Sequence, residues 1–159
     1  MADFYGVNFT KFDQNVPKEQ VNVAEHSGRM RVQYDSYEAS AVAAAKTIAV
    51  ARLPKGSRVW QVIVVADAGG SSTTTLSVGD STTADRFVSA LKMNAANKVS
   101  AMFPKAVDTH NSVDLAGGMS GSGIDSFGHE YTSETDIIIT VGTAAFTGTI
   151  KCCIWYTVD

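Results

Sequence analysis

The chain has 159 residues, 45% of them hydrophobic, and a net charge of −3 with acidic and basic residues mixed along its length. A chain of that size buries roughly 70% of the surface its unfolded form exposes, so one domain with a real core is expected. The scattered charge offers no basic stripe to a phosphate backbone or anionic lipid, and the apolar runs fall far short of the ~20 residues of a bilayer span, which argues against nucleic acid and membrane as partners.

Residues 1–28 are polar but carry Phe4, Tyr5, Phe9 and Phe12 without a sustained period, and they read as an N-terminal arm. Four aromatics are more than a solvated tail needs, since each is better buried against its own domain or a neighbouring subunit. The remainder, 29–159, reads as the folded domain. It opens with Met30, Val32 and Tyr34 alternating against Arg31, Gln33 and Asp35, the pattern of a half-buried strand.

The alanine-rich 40–46 reads as a loop or turn leading into a strand at 47–53, which Pro54-Lys55-Gly56 stops. The nearly continuous β-branched and aromatic run 59–66 predicts a central strand covered on both faces. After a turn headed by Asp67, 73–78 alternates again and Gly79-Asp80 turns. The stretch 80–93 fits either a short helix capped by Ser81 or Thr82, with Phe87 and Leu91 on one face, or a turn and a strand. Another strand is expected at 98–103. The glycine- and serine-rich stretch after Pro104 has no regular period, and a run that long usually marks a functional or interaction loop.

Two further strands, 136–141 and 145–158, are separated by Gly142-Thr143-Ala144 and predict a long hairpin. In the second, Phe146, Ile150, Cys152, Ile154 and Tyr156 share one parity and are assigned to the core. Lys151, Cys153 and Trp155 share the other, and because that face is mixed rather than polar, Trp155 is expected to meet another strand, the arm or a neighbouring subunit. Short strands with turn signals between them and hardly any helix favour an all-β antiparallel sandwich or barrel, closed by Greek-key or jelly-roll connections.

Signs of chemistry are few. Adjacent Cys152 and Cys153 would point to opposite faces of a strand, so they are read as reduced thiols rather than a disulfide. His26, His110 and His129 are isolated, with no metal-ligand spacing, so neither a metal nor a cofactor is expected. A nucleophile assembled from Ser120, Ser122 or Ser126 with His129 and Glu130 or Asp125 lacks the G-x-S-x-G elbow. No catalytic residue is assigned. Asp67 and Asp80 head tight turns, where an aspartate commonly bonds its own backbone. The start MADFYGVNF has no charged-then-apolar signal pattern, so assembly in a cytoplasm is expected.

Two segments carry a resemblance: LPKGSRVWQVIVVADAGGSSTTTLSVGDSTTADRF, 53–87, and ETDIIITVGTAAFTGTIKCCIWYTVD, 134–159. They resemble a group of tailed-bacteriophage virion proteins, some of them capsid cement or decoration proteins. The match covers the L-P-x-G-x-x-V strand, the VGDS turn, the D-R-F element and the final T-D-I-I-I-T and T-G-T-I strands. The resemblance implies a jelly-roll-like sandwich that binds and stabilises a shell of major capsid protein on the virion surface, as a homo-oligomer, commonly a trimer. Neither the aromatic arm nor the Gly/Ser-rich stretch is matched, and these are the parts expected to decide which surface is bound. The expected interface residues are Phe4, Tyr5, Phe9, Phe12 and Trp155, the arm reaching onto an adjacent protomer or capsid protein. The alternative is a tail, fibre or baseplate component that recognises a host glycan through the Gly/Ser-rich stretch and a tryptophan.

Overall fold

The computed structural model describes residues 28–66, 73–92, 98–101 and 127–158. The aromatic arm, the turn at Asp67 and most of the Gly/Ser-rich stretch lie outside these residues. The described chain forms nine strands: β1 Arg31–Val42, β2 Thr47–Leu53, β3 Ser57–Ala66, β4 Thr75–Gly79, β5 Val88–Lys92, β6 Lys98–Ala101, β7 His129–Glu130, β8 Thr135–Gly142 and β9 Phe146–Val158. The stretch after Asp80 is therefore a turn and strand, not a helix, and β1 runs on to Val42, so that the turn read at 40–46 is confined to 43–46. A bulge interrupts its pairing with β9 between Ala39 and Val42.

The strands form two antiparallel sheets. One has the order β1-β9-β3-β6, with the two-residue β7 paired to β3, and the other has the order β2-β8-β4-β5. The chain passes from sheet to sheet at nearly every connection, and this interleaving is the double Greek key of a jelly roll. The inner faces meet in a core of Leu53, Val59, Leu76, Ile137, Ile139 and Phe146, all fully buried. Burying each such aliphatic side chain is worth about 1.5–3 kcal/mol.

Two expectations are corrected here. The C-terminal strands do not form a hairpin: β8 pairs with β2 and β4, whereas β9 pairs with β1 and β3. The link between them arches from one sheet to the other. Ile137, Ile139 and Val141 thus face Phe146, Ile150 and Ile154 across the core, where a hairpin would have left both sets on one sheet. The strand β3 is not covered on both faces. Its inner residues Val59, Val62, Val64 and Ala66 are fully buried, but Trp60, Ile63 and Val65 are only half-buried on its outer side. A two-layer sandwich has no third layer to cover them.

Candidate interaction face

The core dictates the parity of β9. Ile150, Cys152, Ile154 and Tyr156 are buried inward as expected, which turns Lys151, Cys153 and Trp155 outward. Residues directly opposite in an antiparallel pair share a face. In the register of β1, Val32 stands opposite Trp155 and Tyr34 opposite Cys153. On the other flank, Gln61 of β3 stands opposite Trp155, Ile63 opposite Cys153 and Val65 opposite Lys151.

The apolar parity of β1 therefore points away from the core. Met30, Val32 and Tyr34 are 52%, 53% and 61% exposed. The polar set Arg31, Gln33 and Asp35 instead takes the parity of Tyr156, Ile154 and Cys152. The alternation was legible in the sequence, but its inward half is the polar one, because register against β9 overrides the usual sense of the pattern. The result is an apolar stripe across three strands, from Val32 and Tyr34 through Trp155 and Cys153 to Ile63 and Val65. Lys151 stands at its margin, and beyond it Thr149 donates its hydroxyl to Glu38.

The second tryptophan belongs to a different arrangement. Trp60 occupies a bulge between Val59 and Gln61, where its ring meets Phe127 edge-on at 5.5 Å and its Nε1 donates to Thr157 Oγ1 at 3.0 Å. That ring is engaged, so Trp155, at 37% exposure, presents more open aromatic surface.

At one end of the sandwich lies a polar cleft of about 740 Å³ whose wall includes Asp80, Arg86, His129 and Tyr131. Asp80 is 2% exposed. Its carboxylate accepts from the backbone N–H groups of Thr82 and Thr83, each at 2.8 Å, from Arg86 Nε and from the Tyr131 hydroxyl at 2.9 Å. The turn-heading role read from the sequence is confirmed, with two side-chain donors added to it. Burial works against the Asp80 charge, but the bonds from Arg86, Thr83, Thr82 and Tyr131 outweigh it and hold the carboxyl below its ordinary range. Burial, joined by the Asp80 charge, pushes the Tyr131 phenol far up, so that hydroxyl stays a donor.

His129 lies on β7, edge-on to Tyr131 at 4.7 Å. Burial and the charge of Arg86 hold its imidazole below the usual value. Glu130 does not serve as its orienting partner through the bond seen here; its carboxylate takes Arg58 at 2.6 Å. Asp125, Ser120, Ser122 and Ser126 lie outside the described residues. Among the described residues no group of three or more His, Cys, Asp or Glu side chains could hold a metal. The cleft is a structural clasp that ties the 80–87 turn to the segment entering β8.

Of the five expected interface residues, Trp155 lies on the outer face as anticipated, and Phe4, Tyr5, Phe9 and Phe12 lie outside the described residues. Val32, Tyr34 and Ile63 were not singled out as interface residues. The available signal was the mixed outer parity of β9, but only the pairing of β1 and β3 with it shows which residues extend that face.

No family model matches the sequence, and no curated protein matches it. Solved structures do share its fold. A chain of the cyanophage Pam1 capsid asymmetric unit is 19% identical and superposes with a TM-score of 0.58 over 92% of this chain and 99% of that one. A chain in the capsid of Ralstonia phage GP4 is 15% identical, with a TM-score of 0.59 over 89% of this chain and 92% of that one. The jelly roll described here is thus a fold found nearly end to end in chains of two phage capsids.

Proposed function

We propose that this protein is a structural component of a phage virion, a cement or decoration protein that binds the assembled shell of major capsid protein on its outer surface. The observation that carries this reading is the near end-to-end likeness to chains in two phage capsids. The outward apolar stripe supports it, because a contiguous apolar patch on a sheet face marks an interaction surface. In this reading the protein acts without catalysis, assembles in the host cytoplasm and works as a homotrimer. The arm 1–28 and the sandwich 29–159 are separate parts, and Phe4, Tyr5, Phe9, Phe12 and Trp155 meet neighbouring subunits on the particle. Binding to the shell but not to its dissociated subunits stabilises the shell by mass action.

The test uses shells of the phage that encodes the protein, prepared without it. Added protein should co-sediment with them and raise the temperature at which they release DNA. Absence of co-sedimentation at saturating protein overturns the reading. Removal of residues 1–28 should weaken association, and unchanged binding would take the arm out of the interface.

A further inference from the structure

We propose that β1 is a self-pairing edge: two copies of this chain join their β1 strands antiparallel about a two-fold axis at Gln33. The strand ends its sheet, paired to β9 along one side, and among the described residues no strand pairs with its other side. At 12 residues it is a long edge, and an unpaired edge is a template for another strand. The direction of its backbone groups follows from Ser36, whose N–H bonds the carboxylate of Asp35 at 2.8 Å and so is not directed at β9. Alternate residues of an antiparallel ladder point their backbone groups the same way, which turns those of Val32 and Tyr34 to the open side as well. In the proposed register Val32 of each copy stands opposite Tyr34 of the other, and the two pairs exchange four N–H···O=C bonds. The ladder ends on either side where Asp35 holds the Ser36 amide.

Charge selects a second copy as the occupant and sets the register. A two-fold normal to the sheet puts one residue of β1 opposite itself, and that choice fixes every other pair. With Gln33 on the axis, Arg31 of each copy meets Asp35 of the other, giving two ion pairs, while Val32 and Tyr34 form two apolar pairs. Asp35 on the axis sets carboxylate against carboxylate, and Tyr34 on the axis leaves both charges without an opposite partner. Val32 on the axis would pair Asp35 with Arg29, which precedes the strand. Arg31 and Asp35 are both exposed, and among the described residues the ion pairs belong to Arg52, Arg58 and Arg86. Exposed pairs add little strength, so here they choose the register rather than supply the affinity. Gln33 gives a separate reason. Its Oε1 is buried with no hydrogen-bond partner among the described residues, a state proteins seldom tolerate. On the axis it stands beside the side-chain amide of its own copy, and a turn of each side chain lets the two bond. One paired edge falls below the roughly 1,200 Å² at which stable interfaces begin, so the contact is weak in dilute solution. A three-fold assembly contains no two-fold axis, so in a homotrimer the pairing would join one trimer to the next, where anchoring on a shell raises the local concentration. The inference rests on register and charge and not on the capsid reading.

Disulfide cross-linking reads a weak contact directly. Gln33→Cys is made in full-length Cys153→Ser protein, leaving Cys152 buried, and the protein is oxidised with copper phenanthroline. Opposed residues whose backbone groups point away from the partner strand lie about 4.5 Å apart at Cα, within disulfide reach, and Gln33 faces its own copy in that way. Asp35→Cys is the control, since its two copies stand about 14 Å apart in this register. Gln33→Cys should form a covalent dimer about tenfold faster than Asp35→Cys or more. Adding Arg31→Asp should slow it about tenfold, because carboxylate then meets carboxylate, and adding Asp35→Arg as well should restore it. Equal rates at the two positions, no dimer at all, or no restoration by the charge swap overturns the proposal. Where a variant fails to fold, the parent protein decides. Amide exchange at Val32 and Tyr34 should slow as its concentration rises from about 10 μM to about 1 mM, and unchanged exchange overturns the contact. No shell is present in these measurements, so their failure leaves the capsid reading standing, and failure of shell binding leaves this contact standing.

Discussion

The hydroxyl of Tyr131 donates to the carboxylate of Asp80 at 2.9 Å, joining two residues 51 positions apart in sequence. That bond closes the clasp at the end of the sandwich, and it sets the first expectation. Tyr131→Phe removes one donor of four and should cost about 1 kcal/mol. Asp80→Ala removes the acceptor that all four share and should cost about 3–5 kcal/mol, as when one partner of a buried ion pair is lost. Urea midpoints with an unchanged slope would register both. Equal effects would mean that the carboxylate is not the centre of the network.

The same residues set the acid limb of the stability curve. The imidazole of His129 is held below its ordinary value of 6.5, so its protonation opposes the fold as pH falls below that value. The folded Asp80 carboxyl is held below its ordinary value of 3.8, so its contribution is present above that pH and is lost as pH falls through the lower folded value. Stability should therefore decline in two stages on acidification. Asp80→Asn should flatten the lower stage and His129→Gln the upper one, in denaturant melts taken across pH.

At the arch between β8 and β9, Thr143 is exposed and holds φ at 67°. A β-branched side chain pays about 1–2 kcal/mol for that left-handed backbone. Glycine removes the strain while adding about 0.5–1 kcal/mol of unfolded-state entropy. Thr143→Gly should therefore raise stability by up to about 1 kcal/mol, visible as a higher melting temperature.

Gly79 is the reverse case. A Cβ there would lie 2.0 Å from the carbonyl oxygen of Thr83 and 2.6 Å from the carbonyl carbon of Ala84, both backbone atoms of the turn that holds Asp80. Gly79→Ala should cost roughly 1–3 kcal/mol or more, because backbone cannot step aside as a side chain can. A melting temperature unchanged from the parent would show that the turn is looser than described.

The neighbouring cysteines test the parity of β9 directly. Cys152 is 2% exposed, and burial, with Cys153 and Asp35 nearby, pushes its thiol up to about 12. Cys152→Ser places a hydroxyl in the core and should cost about 1–3 kcal/mol. Cys153→Ser on the outer face should stay within about 0.5 kcal/mol of the parent. The opposite ranking would reverse the strand's assigned faces.

Strand positions and the core parity of β9 were legible because period-two alternation and punctuation by Pro54, Gly56 and Asp80 are local signals. Whether β8 and β9 form a hairpin or an arch was not, since two alternating strands with a short glycine-bearing link satisfy either. What selects the arch is competition: β2 and β4 claim both edges of β8, while β1 and β3 claim those of β9. The outward side of β1 was hidden for the same reason. Val32 and Tyr34 look like core residues until their pairing with Trp155 and Cys153 is known. The face was thus half legible, through Trp155, and the rest depended on pairings between distant parts of the chain, Val32 with Trp155 and Ile63 with Cys153.

The arrangement of the last two strands governs the order in which the molecule can be made. Of the nine described strands, β8 and β9 are made after all the others, and each is an interior member of one sheet. Before residue 135 appears, the strand pairs available among the described residues are β3 with β6, β3 with β7 and β4 with β5. Pairings this distant along the chain close slowly, in roughly milliseconds to seconds for β-sandwiches. The nascent chain must therefore carry most of the apolar surface of these two sheets uncovered until β8 and β9 have been made. Truncation within β8 or β9 should therefore yield an aggregating product rather than a smaller working domain.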